Sequence, residues 1–280
     1  MSIEKYRHPF LFYALATAVP WGLWFVGGYM SHIEPVRGFY TMVSSLLGIL
    51  GLLAPMTIAL VLIFRDRELR ADFLGRTFTF NKIQPIYILA TCFLMLGSIL
   101  LAQAISLLFG YSANQFNLSS RFSFSAGIFP AWFILILAPI LEELAWHSYG
   151  TDCLRRHFSL LTTSLIFAVF WALWHFPLSF IKDYYQANLV ESGWIYSLNF
   201  VVSLIPYVVL MNWLYYKTGR NILVAIVFHI TAGFFNEIFQ TDPHSKIIQT
   251  VLLLLLTVFL VIKESDFFTK RESNLINGSA

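Results

Sequence analysis

A chain of 280 residues with 58% hydrophobic and 12% charged side chains and a mean hydropathy of +0.70 is not a soluble domain, where roughly 25% of residues are charged. Seven or eight membrane spans of roughly 20 residues fill that length, which leaves no room for a large soluble domain. The formal charge of +3 points to no nucleic-acid partner, because in a membrane chain the placement of Lys and Arg outweighs their sum.

The apolar runs are continuous rather than alternating, so they imply membrane helices and not a barrel. Eight spans are predicted, at about Pro9–Met30, Phe39–Phe64, Pro85–Phe109, Ala126–Trp146, Ser159–Ile181, Gly193–Tyr215, Ile222–Phe239 and Ile247–Ile262. The last is short for a span. The first is too long for a cleaved signal and is expected to stay as an anchor. No internal repeat or low-complexity segment is found. The fold class expected is all-α, a polytopic membrane helix bundle.

Alternation of eight spans puts Lys5, Arg7, Arg65, Arg67, Arg70, Arg76, Lys82, Arg155, Arg156, Lys217, Arg220, Lys263, Lys270 and Arg271 on one side. Arg37, Arg121, Lys182 and Lys246 fall on the other. This asymmetry predicts an integral multi-pass protein of the cell membrane with both termini in the cytosol. The loop RDRELRADFLGRTFTFNK after span two is read as obeying the same rule. Trp194, Tyr196, Trp213, Tyr215 and Tyr216 near span ends are read as interfacial anchors, and Pro55, Pro130, Pro139 and Pro206 as tolerated kinks. Cys92 and Cys153 make no metal spacing and no evident disulfide, and are read as inert.

Ionisable groups inside apolar spans are costly and usually serve a pathway or a reaction. Glu142 and Glu143 close span four side by side. Two close carboxylates suit general-base work, and on a helix they point about 100° apart, so one can face the bundle centre while the other reaches a partner. His147 lies four residues beyond Glu143, on the same helix face. His175 ends the run WALWHFP four residues after Trp171, and His229 sits in LVAIVFHITAGFFNEIF ahead of Asn236 and Glu237. Together with the Glu pair, the two histidines make a candidate metal-ligand or water-activating set.

EELAWH, then FWALWHFP, then VFHITAGFF resemble the three motifs of the CPBP membrane proteases, also called the type II CAAX prenyl endopeptidase or Abi family. The resemblance spans roughly Phe124 to Phe239. It implies an intramembrane endopeptidase whose catalytic core is the four helices of spans four to seven. The chain then divides into 1–120 with three spans, 121–242 with the core, and 243–280 with the last span and a cytosolic tail. By the same resemblance, Glu142 activates the attacking water with His175, Glu143 supports the site, and His229 completes the metal or oxyanion contacts. Two positions depart from the family pattern: His147 stands where Arg is usual, and Gly233 stands where Asn is usual, with Asn236 three residues later. Imidazole cannot make the bidentate fork of Arg, and a missing oxyanion donor typically costs about 10²–10³ in rate.

The substrates expected are membrane-embedded peptides or protein C-termini, reached from the cytosolic half of the bilayer; nothing in the sequence selects prenylated ones. A divalent metal, zinc first, is expected on His175, His229 and Glu143, although a metal-free glutamate mechanism needs the same residues. Other readings are a proton-coupled transporter using these groups as a relay, and an inactive relative acting as scaffold or immunity protein. Convergence of Glu142, His175 and His229 also requires the helix of span four to run on through AWHSYG.

Overall fold

The structure, a computed structural model, describes residues 3–34, 38–77 and 83–271. Arg37 and Lys82 of the charge count lie outside these residues. Among the described residues there are helices and two isolated bridges, Leu118 to Phe239 and Ala126 to Phe129, with no strand. Helices α1 (Pro9–Ser31) and α2 (Gly38–Phe64) pack as a pair; α3 (Arg67–Thr77) caps one end of the bundle and α4 (Pro85–Leu107) returns through it.

After an irregular stretch, α5 (Ala131–Ala145) continues through a π-turn (Trp146–Gly150) into α6 (Thr151–Arg155). These three pieces form one helix of 25 residues. The chain proceeds through α7 (Leu160–Trp174), a 3₁₀ turn (Phe176–Phe180), the short α8 (Tyr185–Ser192), α9 (Trp194–Lys217), α10 (Ile222–Ile238), α11 (Pro243–Lys263) and α12 (Ser265–Thr269).

Among the described residues, seven of these helices are long and apolar enough to cross a membrane. The eighth apolar helix is α10, with 17 residues. The expectation that the last span would be the short one is therefore corrected: α11 has 21 residues. It begins early because Pro243 occupies its first turn, where a missing N–H costs nothing, and the Asp242 side chain accepts from His244 N at 2.9 Å. Helix α10 stops at Ile238, where Phe239 turns extended and Ser119 N donates to the Ile238 carbonyl at 2.7 Å.

Spans four and five also differ from their expected limits. Span four starts at Ala131, after Pro130, and runs to Arg155. Ser148, Thr151, Asp152 and Arg155 read as loop residues by polarity, yet all are buried between helices. The continuous helix that convergence required is present. Span five leaves the α-helix at Trp174 and goes on as the 3₁₀ turn, because Pro177 has no N–H to donate back into the α-helix.

The π-turn has a price in backbone hydrogen bonding, and the other end of the chain meets it. The carbonyls of His147 and Ser148 accept from Arg76 Nη1 at 3.0 Å and Nη2 at 2.6 Å, and Tyr215 Oη donates to His147 O at 2.6 Å. Arg76 also pairs with Asp72 at 2.9 Å and Asp152 at 3.2 Å, and touches the Tyr215 hydroxyl. Arg220 pairs with the same two carboxylates at 3.0 and 2.6 Å. Burial works against the charge on Arg220, and Asp152 together with Tyr215 and Tyr6 outweighs it, so the guanidinium is held well above its usual range. Arg220 accepts a left-handed φ of 65° to make these contacts.

Two expectations are corrected here. Arg76 is not merely an orienting surface charge, since it is 7% exposed, and Tyr215 is not a lipid anchor, since it is fully buried. Gly150 completes the turn: a Cβ there would meet Phe12 Cε1 at 2.8 Å, so α1 can close on the π-turn only against glycine.

Removing one partner of a buried ion network leaves the others uncompensated, which costs about 3–5 kcal/mol. Asp152→Ala, which leaves two guanidinium groups sharing the single carboxylate of Asp72, is expected to lower the unfolding free energy in detergent by about that much. A loss under about 1 kcal/mol, in the range of exposed pairs, would show that this network does not hold the helix ends together.

Candidate active site

Glu142 and Glu143 leave α5 on different sides and meet different partners. Glu143 is fully buried and spends both oxygens on imidazoles. Oε2 bonds His147 Nδ1 one turn on, and Oε1 accepts from His229 Nδ1 on α10 at 2.7 Å. His147 continues the chain: its Nε2 lies 2.9 Å from Asn212 Oδ1, and Asn212 Nδ2 donates to Ser164 Oγ at 2.9 Å. Ser164 gives its one hydrogen to Leu160 O at 2.8 Å, so it must accept from the amide. That fixes the Asn212 amide with its oxygen toward His147, whose Nε2 therefore donates.

Glu142 faces the interior. Its Oε2 accepts from Trp171 Nε1 at 2.8 Å and lies 3.5 Å from Trp146 Nε1. Trp171 is the hub of the site: its ring centroid is 5.5 Å from that of His175 and 5.2 Å from that of His229, the latter edge-on. His175, at the end of α7, donates from Nδ1 to the Trp171 carbonyl at 2.6 Å, which leaves Nε2 as the ring's other face. The helix rise explains the convergence. Glu142 stands about 20 Å up from Arg155 and His175 about 22 Å up from Leu160, so the run through AWHSYG sets them at one level.

Glu142, Trp171, His175 and His229 line one cavity of about 450 Å³, and Glu143 stands behind it. The cavity widens past Tyr184, Tyr185, Asn199, Asn236, Glu237 and Lys246. Among the described residues none in 143–170, 208–228 or 254–271 lines it. Its floor is therefore the Glu142 level, and its mouth is at the end of the bundle remote from both termini.

Of the set expected from sequence to hold a metal, Glu143 is already engaged, while His175 and His229 are bonded through Nδ1. Glu143 has no free oxygen on the protein side of the bundle, since each is bonded to an imidazole nitrogen. No group of three His, Cys, Asp or Glu side chains among the described residues is placed to hold an ion. Asn236 lines the cavity two turns beyond His229 and donates to Ala232 O of its own helix at 3.0 Å.

Four side chains of this site escaped the sequence reading. Asn212 and Ser164 are isolated polar residues in apolar runs, and that isolation was the available signal. Arg76 is 71 positions from His147 and carried none. Tyr207 packs on Trp171 and Phe228 and meets His229 at 5.9 Å between centroids, while its hydroxyl is buried with no hydrogen-bond partner among the described residues. Buried tyrosine hydroxyls normally have a partner.

Comparison with known proteins agrees with this assembly. A family model described as type II CAAX prenyl endopeptidase Rce1-like matches residues 124–235, the stretch that holds every cavity-floor residue on α5, α7, α9 and α10. The chain is also 34% identical over 272 residues to the CAAX prenyl protease 2 of Methanococcus maripaludis, an alignment covering 96% of this chain and 99% of the relative. The chain is an integral multi-pass membrane protein and belongs to the type II CAAX prenyl endopeptidase, Rce1-like family.

Proposed function

We propose that the protein is an intramembrane endopeptidase that cleaves peptide bonds of membrane-associated peptides or protein C-termini with water activated by Glu142. The observation that carries this reading is one ionisable carboxylate on the floor of a cavity inside the bundle, with two imidazoles around it and the neighbouring carboxylate committed elsewhere. The Methanococcus relative, named a CAAX prenyl protease, supports a substrate that ends a chain near the membrane.

In this reading Glu142 accepts a proton from a water that His175 orients through Nε2, and the water oxygen attacks the scissile carbonyl. His229 donates through Nε2 to the oxygen that becomes negative. In that role its ring carries both hydrogens, the one on Nδ1 being given to Glu143 Oε1 at 2.7 Å. The unpartnered Tyr207 hydroxyl is a second donor, in the neighbourhood where Gly233 brings no side-chain amide. Glu142 then returns its proton to the leaving amine, so hydrogen and charge balance over the cycle.

The charge rule assigns the cytosol to the end that carries Lys5 and Arg7, where every described Lys and Arg except Arg121, Lys182 and Lys246 gathers. The mouth then opens on the other face, and substrate enters from there.

Three outcomes follow. Glu142→Gln and His175→Ala are each expected to abolish cleavage of a reporter peptide by folded protein, and chelator is expected to leave the wild-type rate intact; wild-type rates in both variants would end the assignment, and rescue of chelated enzyme by an added divalent ion would bring a metal back. Tyr207→Phe is expected to lower kcat by about 10²–10³, the cost of one oxyanion donor, and an unchanged kcat would remove the hydroxyl from the mechanism. For sidedness, single cysteines at Ser265 and at Asn188 should label with an impermeant reagent from opposite faces of intact cells, Asn188 from outside. Labelling of both from one face would refute the topology.

A further inference from the structure

Among the described residues, two buried polar atoms of the cavity wall have no hydrogen-bond partner, the Tyr207 hydroxyl and Oε1 of Gln186. Other polar groups of the wall are engaged by the protein's own backbone. Asn188 Nδ2 donates to Ser123 O at 2.7 Å and Ser192 Oγ to Asn188 O at 2.7 Å. Ser203 Oγ donates to Phe200 O at 2.8 Å and Asn236 Nδ2 to Ala232 O at 3.0 Å. Gln186 is only 9% exposed. A buried acceptor without a donor is destabilising, and such groups are few in native proteins. An amide oxygen can only accept, so what completes Gln186 is a group that donates.

The element that carries Gln186 is held against the wall. Helix α8 lies between Asp183, with φ 62°, and Gly193, with φ 138°. Ser125 N donates to Asp183 O at 2.8 Å, and Asn188 ties the helix to Ser123. Beside Gln186, the Tyr185 ring meets Phe200 at 6.2 Å between centroids, and Phe200 meets His175 at 5.6 Å. Two ring contacts thus separate α8 from the imidazole at the cavity floor.

We propose that Gln186 binds the main chain of the substrate, its Oε1 accepting one peptide N–H that flanks the scissile bond. A peptide unit carries one donor and one acceptor, and the wall offers this one fixed acceptor without a donor of its own. The N–H belongs to a flanking residue because α8 stands away from the floor where Glu142 and His175 act. A contact to N–H reads no side chain, so it sets the register of the bound chain while leaving the residue type free. This subsite rests on the peptidase reading above and adds to it a hold on the substrate backbone.

The test uses full-length protein in detergent, a reporter peptide, and its depsipeptides, in each of which one flanking N–H is replaced by an ester oxygen. In wild type, one replacement is expected to lower kcat/KM by about three- to tenfold, the value of a neutral hydrogen bond, mainly through KM. Gln186→Met is expected to cleave the parent peptide with the same loss and to be indifferent to that replacement. Gln186→Glu, which keeps an acceptor, is expected to restore both the rate and the sensitivity. A wild type that tolerates every replacement overturns the proposal without any variant. So does a Gln186→Met protein that matches wild type on the parent peptide, or one that keeps the full ester penalty, since the sensitive N–H would then have another partner. Should wild type cleave no peptide, the peptidase reading fails separately, and the same series is read by binding. One ester must then bind wild type more weakly than the parent peptide does, and bind Gln186→Met equally well; equal binding of the whole series to wild type refutes the contact.

Discussion

Everything at the centre of this molecule hangs on the carboxylate of Glu143. A buried carboxylate far from water is tolerated only when its lone pairs are taken up, and here two imidazoles from opposite directions do so. One belongs to the same helix and the other to α10, so the contact fixes the distance and rotation between the two helices that carry the chemistry. It also divides the labour of the Glu pair. With Glu143 spent on structure, Glu142 faces the cavity with indole N–H groups on one oxygen. Adjacent side chains 100° apart achieve this division without any loop or hinge.

The π-turn is what carries that arrangement toward the end of the bundle. A π-turn leaves helical carbonyls without their usual partners, which is why such turns tend to persist only where something else supplies donors. Arg76 and Tyr215 supply them, and the Asp72, Asp152 and Arg220 charges keep Arg76 in place. The helix that carries the Glu pair is therefore held from behind by a short polar helix, α3, and from the front by α10. The charged end of the bundle and the reactive level are separate layers joined by one helix of 25 residues.

What could be read from the sequence follows the same division. Glu142, Glu143, His175 and His229 were visible because an ionisable group within an apolar run is costly, and the Glu143–His147 contact was visible as an i, i+4 spacing. The need for a helix through AWHSYG could be derived from rise per residue alone. Arg76 could not be found in this way: among the basic residues after span two, nothing local separates the buried Arg76 from the exposed Arg65, Arg67 and Arg70. Tyr215 looked like an interfacial anchor because its position near a span end is shared with exposed aromatic residues such as Trp194. The use of both Glu143 oxygens was hidden too, because a pattern of residue types does not say which nitrogen meets which oxygen.

The two departures from the family pattern are answered by different means. At His147 the shorter, single-sided contact to Glu143 is extended by Asn212, Ser164 and the Leu160 carbonyl, each step oriented by the next. Three helices thus perform the holding that one guanidinium fork would do by its own geometry, and the ring can tilt only if that whole chain gives way. At Gly233 nothing takes the same place on α10; a Cβ there would already stand 3.3 Å from Leu135. The unpartnered hydroxyl comes instead from Tyr207 on α9, whose ring is clamped between Trp171 and Phe228. A donor on a second helix depends on helix packing rather than on spacing within one motif, so under the proposed mechanism the donor and the packing of α9 against α10 are one constraint.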